Sequence, residues 1–93
     1  MLTLPIKKKW FDMIARKEKK EEYRDMTRYY KARFAKFAAA PEFKIRFRAG
    51  YRADSPLMEC AVSLYVGSGR PEWGAPYGWW GYILKINNVE VLQ

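Results

Sequence analysis

Residues 16–25 read RKEKKEEYRD, nine charged side chains around one aromatic, Tyr23. Within this run Lys19, Glu22 and Arg24 have the spacing of a site. In an extended chain Lys20, Glu22 and Arg24 share one face, while Lys19, Glu21, Tyr23 and Asp25 share the other. Glu22 and Arg24 then form a same-face pair able to hold each other or an entering polar ligand. Lys19 reaches Glu22 only if it sits in a turn ahead of the strand. A run of mixed charge is ordinarily solvated surface, and such a pair can also do no more than brace the mouth of a fold, so both readings stand beside the site reading. The chain has no histidine and a single cysteine, Cys60. No zinc site of the usual Cys/His spacing can be assembled, and neither a Ser-His nor a Cys-His pair is available. Any chemistry must use Lys, Glu, Asp, Tyr or Ser, and no metal or cofactor is expected.

The net charge of +8 is unevenly spread. Residues 1–36 hold twelve basic and five acidic side chains, residues 37–52 add Lys44, Arg46, Arg48 and Arg52 against Glu42, and the remainder is slightly acidic. Such asymmetry favours a polyanionic partner, because neutralised phosphates release counterions; nucleic acid is the first candidate and an anionic membrane surface the weaker one. Arg46, Arg48 and Arg52 lie close in sequence to Tyr51. Trp73, Tyr77, Trp79 and Trp80 supply further rings that can stack on bases, although large aromatics also serve as core and loop anchors. Lys7, Lys8 and Lys9 read as the solvated surface of a helix rather than as a phosphate clamp.

The elements that must position these residues follow from periodicity. Residues 1–93 suffice for one domain with one core. LTLPI is a short strand ending at Pro5, whose ring suits a first helical turn. Ile6, Trp10, Met13 and Ile14 recur at helical spacing, predicting a helix that ends near Lys17. Lys20–Arg24 reads as strand. Asp25 or Thr27 can cap a second helix over Arg28–Phe37, with Tyr30, Phe34 and Phe37 on its core face. From Phe43 the period becomes two: Phe43, Ile45 and Phe47 alternate with Lys44, Arg46 and Arg48. Met58–Val66 is a further strand, with Cys60 a core thiol. Residues 67–81 form a long loop, of the kind that often carries function in small domains. Tyr82–Ile86 is an apolar strand, Asn87-Asn88 a turn and Val89–Leu92 a closing strand. Helices early and five or six short strands afterwards predict an α+β fold with a curled sheet or small barrel. One unpaired cysteine suits a reducing cytosol, and the chain shows neither a signal-peptide pattern nor an apolar run near the roughly 20 residues that span a bilayer. A cytoplasmic protein is expected.

The segment KKKWFDMIARKEKKEEYRD resembles the N-terminal signature of the ASCH family (activating signal cointegrator homology). The family motif GxKxxExR aligns with K-E-K-K-E-E-Y-R at residues 17–24, so Lys19, Glu22 and Arg24 match and Lys17 stands where the family has glycine. Trp10 and Ile14 agree with the aromatic and aliphatic positions before the motif. FRAGY, EWGA and YILKI are similar to segments of short ASCH proteins from phages and prophages, so the resemblance spans nearly the whole chain.

The resemblance implies a single PUA-like β-barrel of five or six strands with two helices packed on it, and an RNA- or nucleotide-binding cleft bordered by Lys19, Glu22 and Arg24. Read from the residues themselves, as cations beside rings that can stack on bases, Arg46, Arg48, Tyr51, Arg52 and Trp73 join these as ligand-binding candidates. Some small family members hydrolyse N4-acetylcytidine through a lysine that maps to Lys19, which makes Lys19 and Glu22 candidate catalytic residues. Their partner threonine falls where this chain has Glu22, and Glu72 and Glu59 are candidates for the acid that lies outside the motif. A lysine acts as a base only where burial lowers its pKa. The alternatives to RNA binding are therefore hydrolysis of a modified nucleoside or of RNA, and a phage-type module binding a protein partner through its aromatic loop. A lysine in the glycine position of the turn costs on the order of 1 kcal/mol, unless the turn differs.

Overall fold

In a computed structural model describing residues 1–93, strand β1 (Thr3–Pro5) leads into helix α1 (Lys8–Ala15), then β2 (Glu21–Arg24) and α2 (Arg28–Phe34). Strands β3 (Phe43–Arg48), β4 (Leu57–Ser68) and β5 (Trp80–Val91) follow, with short 3-10 turns at Ala35–Phe37 and Pro71–Trp73. The five strands form one mixed sheet in the order β1-β3-β4-β5-β2, with β1 parallel to β3 and the other pairs antiparallel. The protein is thus α+β, two helices on a sheet curled into a half-barrel. Its open seam runs between β1 and β2, where the Arg24 side chain donates to the Pro5 carbonyl at 2.7 Å.

The core follows from alternation. Phe43, Ile45 and Phe47 of β3 face inward beside Met58, Cys60 and Val62 of β4, and Leu84 joins them from β5. Each large apolar side chain so buried contributes about 1.5–3 kcal/mol relative to exposure. Helix α1 lays Phe11 and Ile14 on this core, and α2 adds Phe34, stacked on Tyr30 and edge-on to Tyr82. Thr27 caps α2, its hydroxyl accepting from the Tyr30 N–H at 3.2 Å.

Three expectations are corrected. The loop expected over residues 67–81 is shorter, because Gly67 and Ser68 extend β4 and pair with Gly81 and Trp80 of β5. The second helix is α-helical only to Phe34 and tightens into 3-10 geometry through Phe37. Asn87-Asn88 is no turn: β5 runs unbroken from Trp80 to Val91. Opposite it the register shifts between Ala61, paired with Asn88, and Val62, paired with Ile86, so Asn87 is the extra residue of a β-bulge. Its side-chain amide donates to Glu42 at 3.0 Å and to the Ser63 hydroxyl at 2.9 Å, which stabilises the bulge and lets the strand continue.

Candidate functional site

The site begins at the end of α1. Lys17 N–H donates to Ile14 C=O and Glu18 N–H to Met13 C=O, the two bonds of a Schellman turn, with Lys17 itself left-handed at φ 65°. Lysine thus occupies a conformation that glycine adopts without strain. The turn leaves Lys19 just ahead of β2, so it converges with Glu22 although the two alternate along the chain.

Lys19 is 1% exposed. Its ammonium donates to the Trp73 carbonyl, lies 3.3 Å from Glu22 Oε1, and sits 4.8 Å from the ring centres of both Trp10 and Tyr23. Burial pulls its pKa below the ordinary lysine value, and the Glu22 carboxylate opposes that shift. The other Glu22 oxygen accepts from Arg24 Nη2 at 2.7 Å. That nitrogen also donates to Pro5 C=O, while Nη1 donates to the Tyr30 hydroxyl at 2.8 Å. Arg24 Nε is buried without a partner. Two cations and one carboxylate therefore form a chain with a net positive charge across the mouth of the half-barrel. The effective cost of taking charges out of water is several kcal/mol per ion, so this is not the arrangement of a solvated run.

Above the chain lies an open cleft of about 430 Å³, walled by Trp10, Tyr23, Tyr30 and Trp79 and edged by Lys7, Glu22, Arg24 and Asp25. Trp79 is aimed by its indole N–H, which donates to Asp25 at 2.8 Å, and by packing on the Tyr23 ring with centroids 5.1 Å apart. Tyr23 donates to Glu21, accepts from the Arg70 N–H, and burial pushes its phenol well above the ordinary value. Two glycines beside the cleft are required: Gly74, in the loop over it, has φ 105° and a Cβ there would meet the Trp10 ring at 3.0 Å, while one at Gly81, near the start of β5, would run into the Trp79 ring.

The residues marked in the sequence do not all gather here. Glu22 and Arg24 line the cleft; the Lys19 ammonium lies behind Glu22, Trp10 and Tyr23 and does not line it. Trp73 lends its carbonyl to Lys19, but its ring packs against the Arg70 guanidinium instead of the cleft. Arg46 is on the outer sheet face, 3.3 Å from Glu59, which Lys44 also approaches. Arg48 points its guanidinium into the following loop, where it donates to the carbonyls of Arg52, Ala53 and Ser55. Arg52 pairs with Asp54 on the surface. Tyr51 borders a second groove beside the cleft. Neither candidate acid, Glu59 or Glu72, lines the cleft. Trp10 and Tyr30, read from the sequence as core, are cleft walls; their helical spacing marks an inward face and carries no signal that this face ends at a cavity.

No group of three or more metal-ligating side chains is gathered anywhere, and no helix is long and apolar enough to cross a membrane. No family model matches the chain, and no curated protein and no solved structure matches it. The fold and the site by themselves define the class: an α+β half-barrel whose mouth carries a buried Lys-Glu-Arg chain beneath an aromatic-walled cleft.

Proposed function

We propose that this chain is an RNA- or nucleotide-binding domain of the PUA-like ASCH type, working in the cytoplasm, whose ligand enters the cleft above Lys19, Glu22 and Arg24. The observation that carries this reading is the withdrawal of the three motif charges from solvent into one connected chain beneath four aromatic rings. Stacking on such rings is worth roughly 1–3 kcal/mol per base and tolerates any base. The net charge of +8 supplies the long-range attraction to phosphate. Fluorescence anisotropy with a labelled single-stranded RNA hexamer tests it: micromolar or weaker affinity at about 50 mM salt, falling steeply by about 200 mM. The single strand should outcompete duplex DNA, and Trp79→Ala should weaken binding by about fivefold or more. Absence of binding at low salt refutes it and promotes a protein partner docking on the exposed Tyr65, Val66, Tyr77 and Trp80.

A second reading, hydrolysis of an N4-acetylcytidine-type nucleoside or of RNA, is favoured by the lowered pKa of Lys19 beside Glu22. It is the weaker one, because the ammonium is already committed to Trp73 C=O and Glu22 and does not face the cleft. Release of cytidine from acetylcytidine by the wild type but not by Lys19→Met would move the protein into the enzyme class.

A further inference from the structure

The cleft does not end at Arg24. Pro5, Ile6 and Lys7 form one of its sides and are also a side of a second groove of about 400 Å³, which continues past Lys8 to Ala49, Gly50 and Tyr51. Each compartment falls within the roughly 300–1,000 Å³ typical of small-ligand pockets. Their chemistry differs. In the cleft and directly behind it the charges of Arg24 and Lys19 are balanced by Glu22 and Asp25, and four aromatic rings line the wall. The second groove has no acidic lining residue. Lys8 is held there by Asp12 at 2.8 Å, whereas Lys7 makes no ion pair and stands on the ridge between the two compartments. At the far end Tyr51 is 93% exposed and its hydroxyl has no hydrogen-bond partner, so packing does not explain its ring.

We infer that the ligand is a single strand of at least two nucleotides, with one base in the aromatic cleft, its neighbour on Tyr51, and the linking phosphate on Lys7. This rests on the cleft being a nucleotide site. A charge-balanced, ring-walled compartment suits an uncharged planar base, the unpaired ammonium on the ridge suits the phosphate, and an exposed ring beyond it is a stacking platform of the kind single-strand binders use. The order of cleft, cation and ring is that of base, phosphate and base along a strand.

The test is a length series: the four ribonucleoside monophosphates, the four matching homodinucleotides and the four homohexamers, titrated by calorimetry or competition anisotropy against wild type, Tyr51→Ala and Lys7→Ala. Both substitutions fall on exposed side chains with no ion pair and leave the core untouched. Dinucleotides are expected to bind about fivefold or more tighter than monophosphates, with Tyr51→Ala abolishing that advantage and leaving monophosphate affinity unchanged. Lys7→Ala should lower the slope of log affinity against log salt for the hexamers by about 0.7, the value for one phosphate of a single strand. Dinucleotides no tighter than monophosphates, or a Tyr51→Ala variant indistinguishable from wild type on dinucleotides, overturns the two-compartment strand path while the cleft remains a mononucleotide site. If no member of the series binds the wild type, the nucleotide reading itself fails and the strand path with it.

Discussion

Replacing Lys17 by glycine should stabilise this protein. Lys17 is held at φ 65°, where an L side chain crowds the following carbonyl at a cost of about 1–2 kcal/mol. Its side chain is exposed and makes no ion pair, so nothing is lost by removing it. Glycine's greater freedom in the unfolded chain offsets about 0.5–1 kcal/mol of the relief, leaving a net gain of about 0.5–1 kcal/mol. For a domain of this size 1 kcal/mol moves the thermal midpoint by about 4–8 °C, so a rise of about 3–6 °C is expected. Lys17→Ala is the control: it removes the same charge but keeps the Cβ, and its midpoint should stay within about 1 °C of wild type. Urea titration should show the glycine variant's gain as a higher midpoint at unchanged slope. RNA affinity should be almost the same in both variants, because Lys17 borders a different hollow, with Lys19, Lys20 and Asn88, from the one lined by Glu22 and Arg24. A glycine variant no more stable than the alanine variant would refute the strain argument, and a loss of affinity specific to Lys17 would place the ligand on the other side of α1.

Lys19→Met should behave oppositely. Removing one member of a buried ion pair costs about 3–5 kcal/mol, and since Glu22 keeps Arg24 the loss should lie near 3, a fall of about 12 °C or more in thermal midpoint; a loss no larger than that of Lys17→Ala would mean the ammonium is solvated. Cys60 gives a pH signature: burial pushes its thiol from the ordinary 9 up to about 12, so its contribution is full below pH 9 and is lost as the pH rises toward 12. Subtracting the Cys60→Ala unfolding curve from the wild-type curve should leave a slope of up to about 1.4 kcal/mol per pH unit in that window, whereas a flat difference would mean the thiol ionises in place. Asn87→Ala removes the two hydrogen bonds that brace the bulge and should lower stability by about 1 kcal/mol, read by urea titration; no change would show that the register shift stands without them.

What the sequence by itself determined was local. The period of two over Phe43–Arg48, the helical faces of Trp10 and Ile14 and of Tyr30 and Phe34, and a cap from Asp25 or Thr27, which the structure gives to Thr27, each depend on neighbours within a few positions. The absence of histidine likewise settled which pairs of catalytic groups the chain cannot assemble. The tertiary structure decided which side of each element meets a cavity. Lys19 and Trp73, like Asp25 and Trp79, are 54 residues apart, and no spacing rule connects them. RKEKKEEYRD has the composition of a solvated helix end, and whether its lysine lies in water or against Trp10, Tyr23 and Glu22 depends on a glycine-rich loop arriving from the far end of the chain. Arg46 and Arg48 alternate perfectly well as outward cations, but Glu59 on the neighbouring strand engages one and the 52–55 loop engages the other. The turn expected at Asn87-Asn88 was lost for the same reason: a local preference yields to an eleven-pair ladder with β4 once a bulge absorbs the extra residue. Local chemistry wrote the elements, and the long-range contacts, each depending on residues far away in the chain, assigned them to core, brace or cleft.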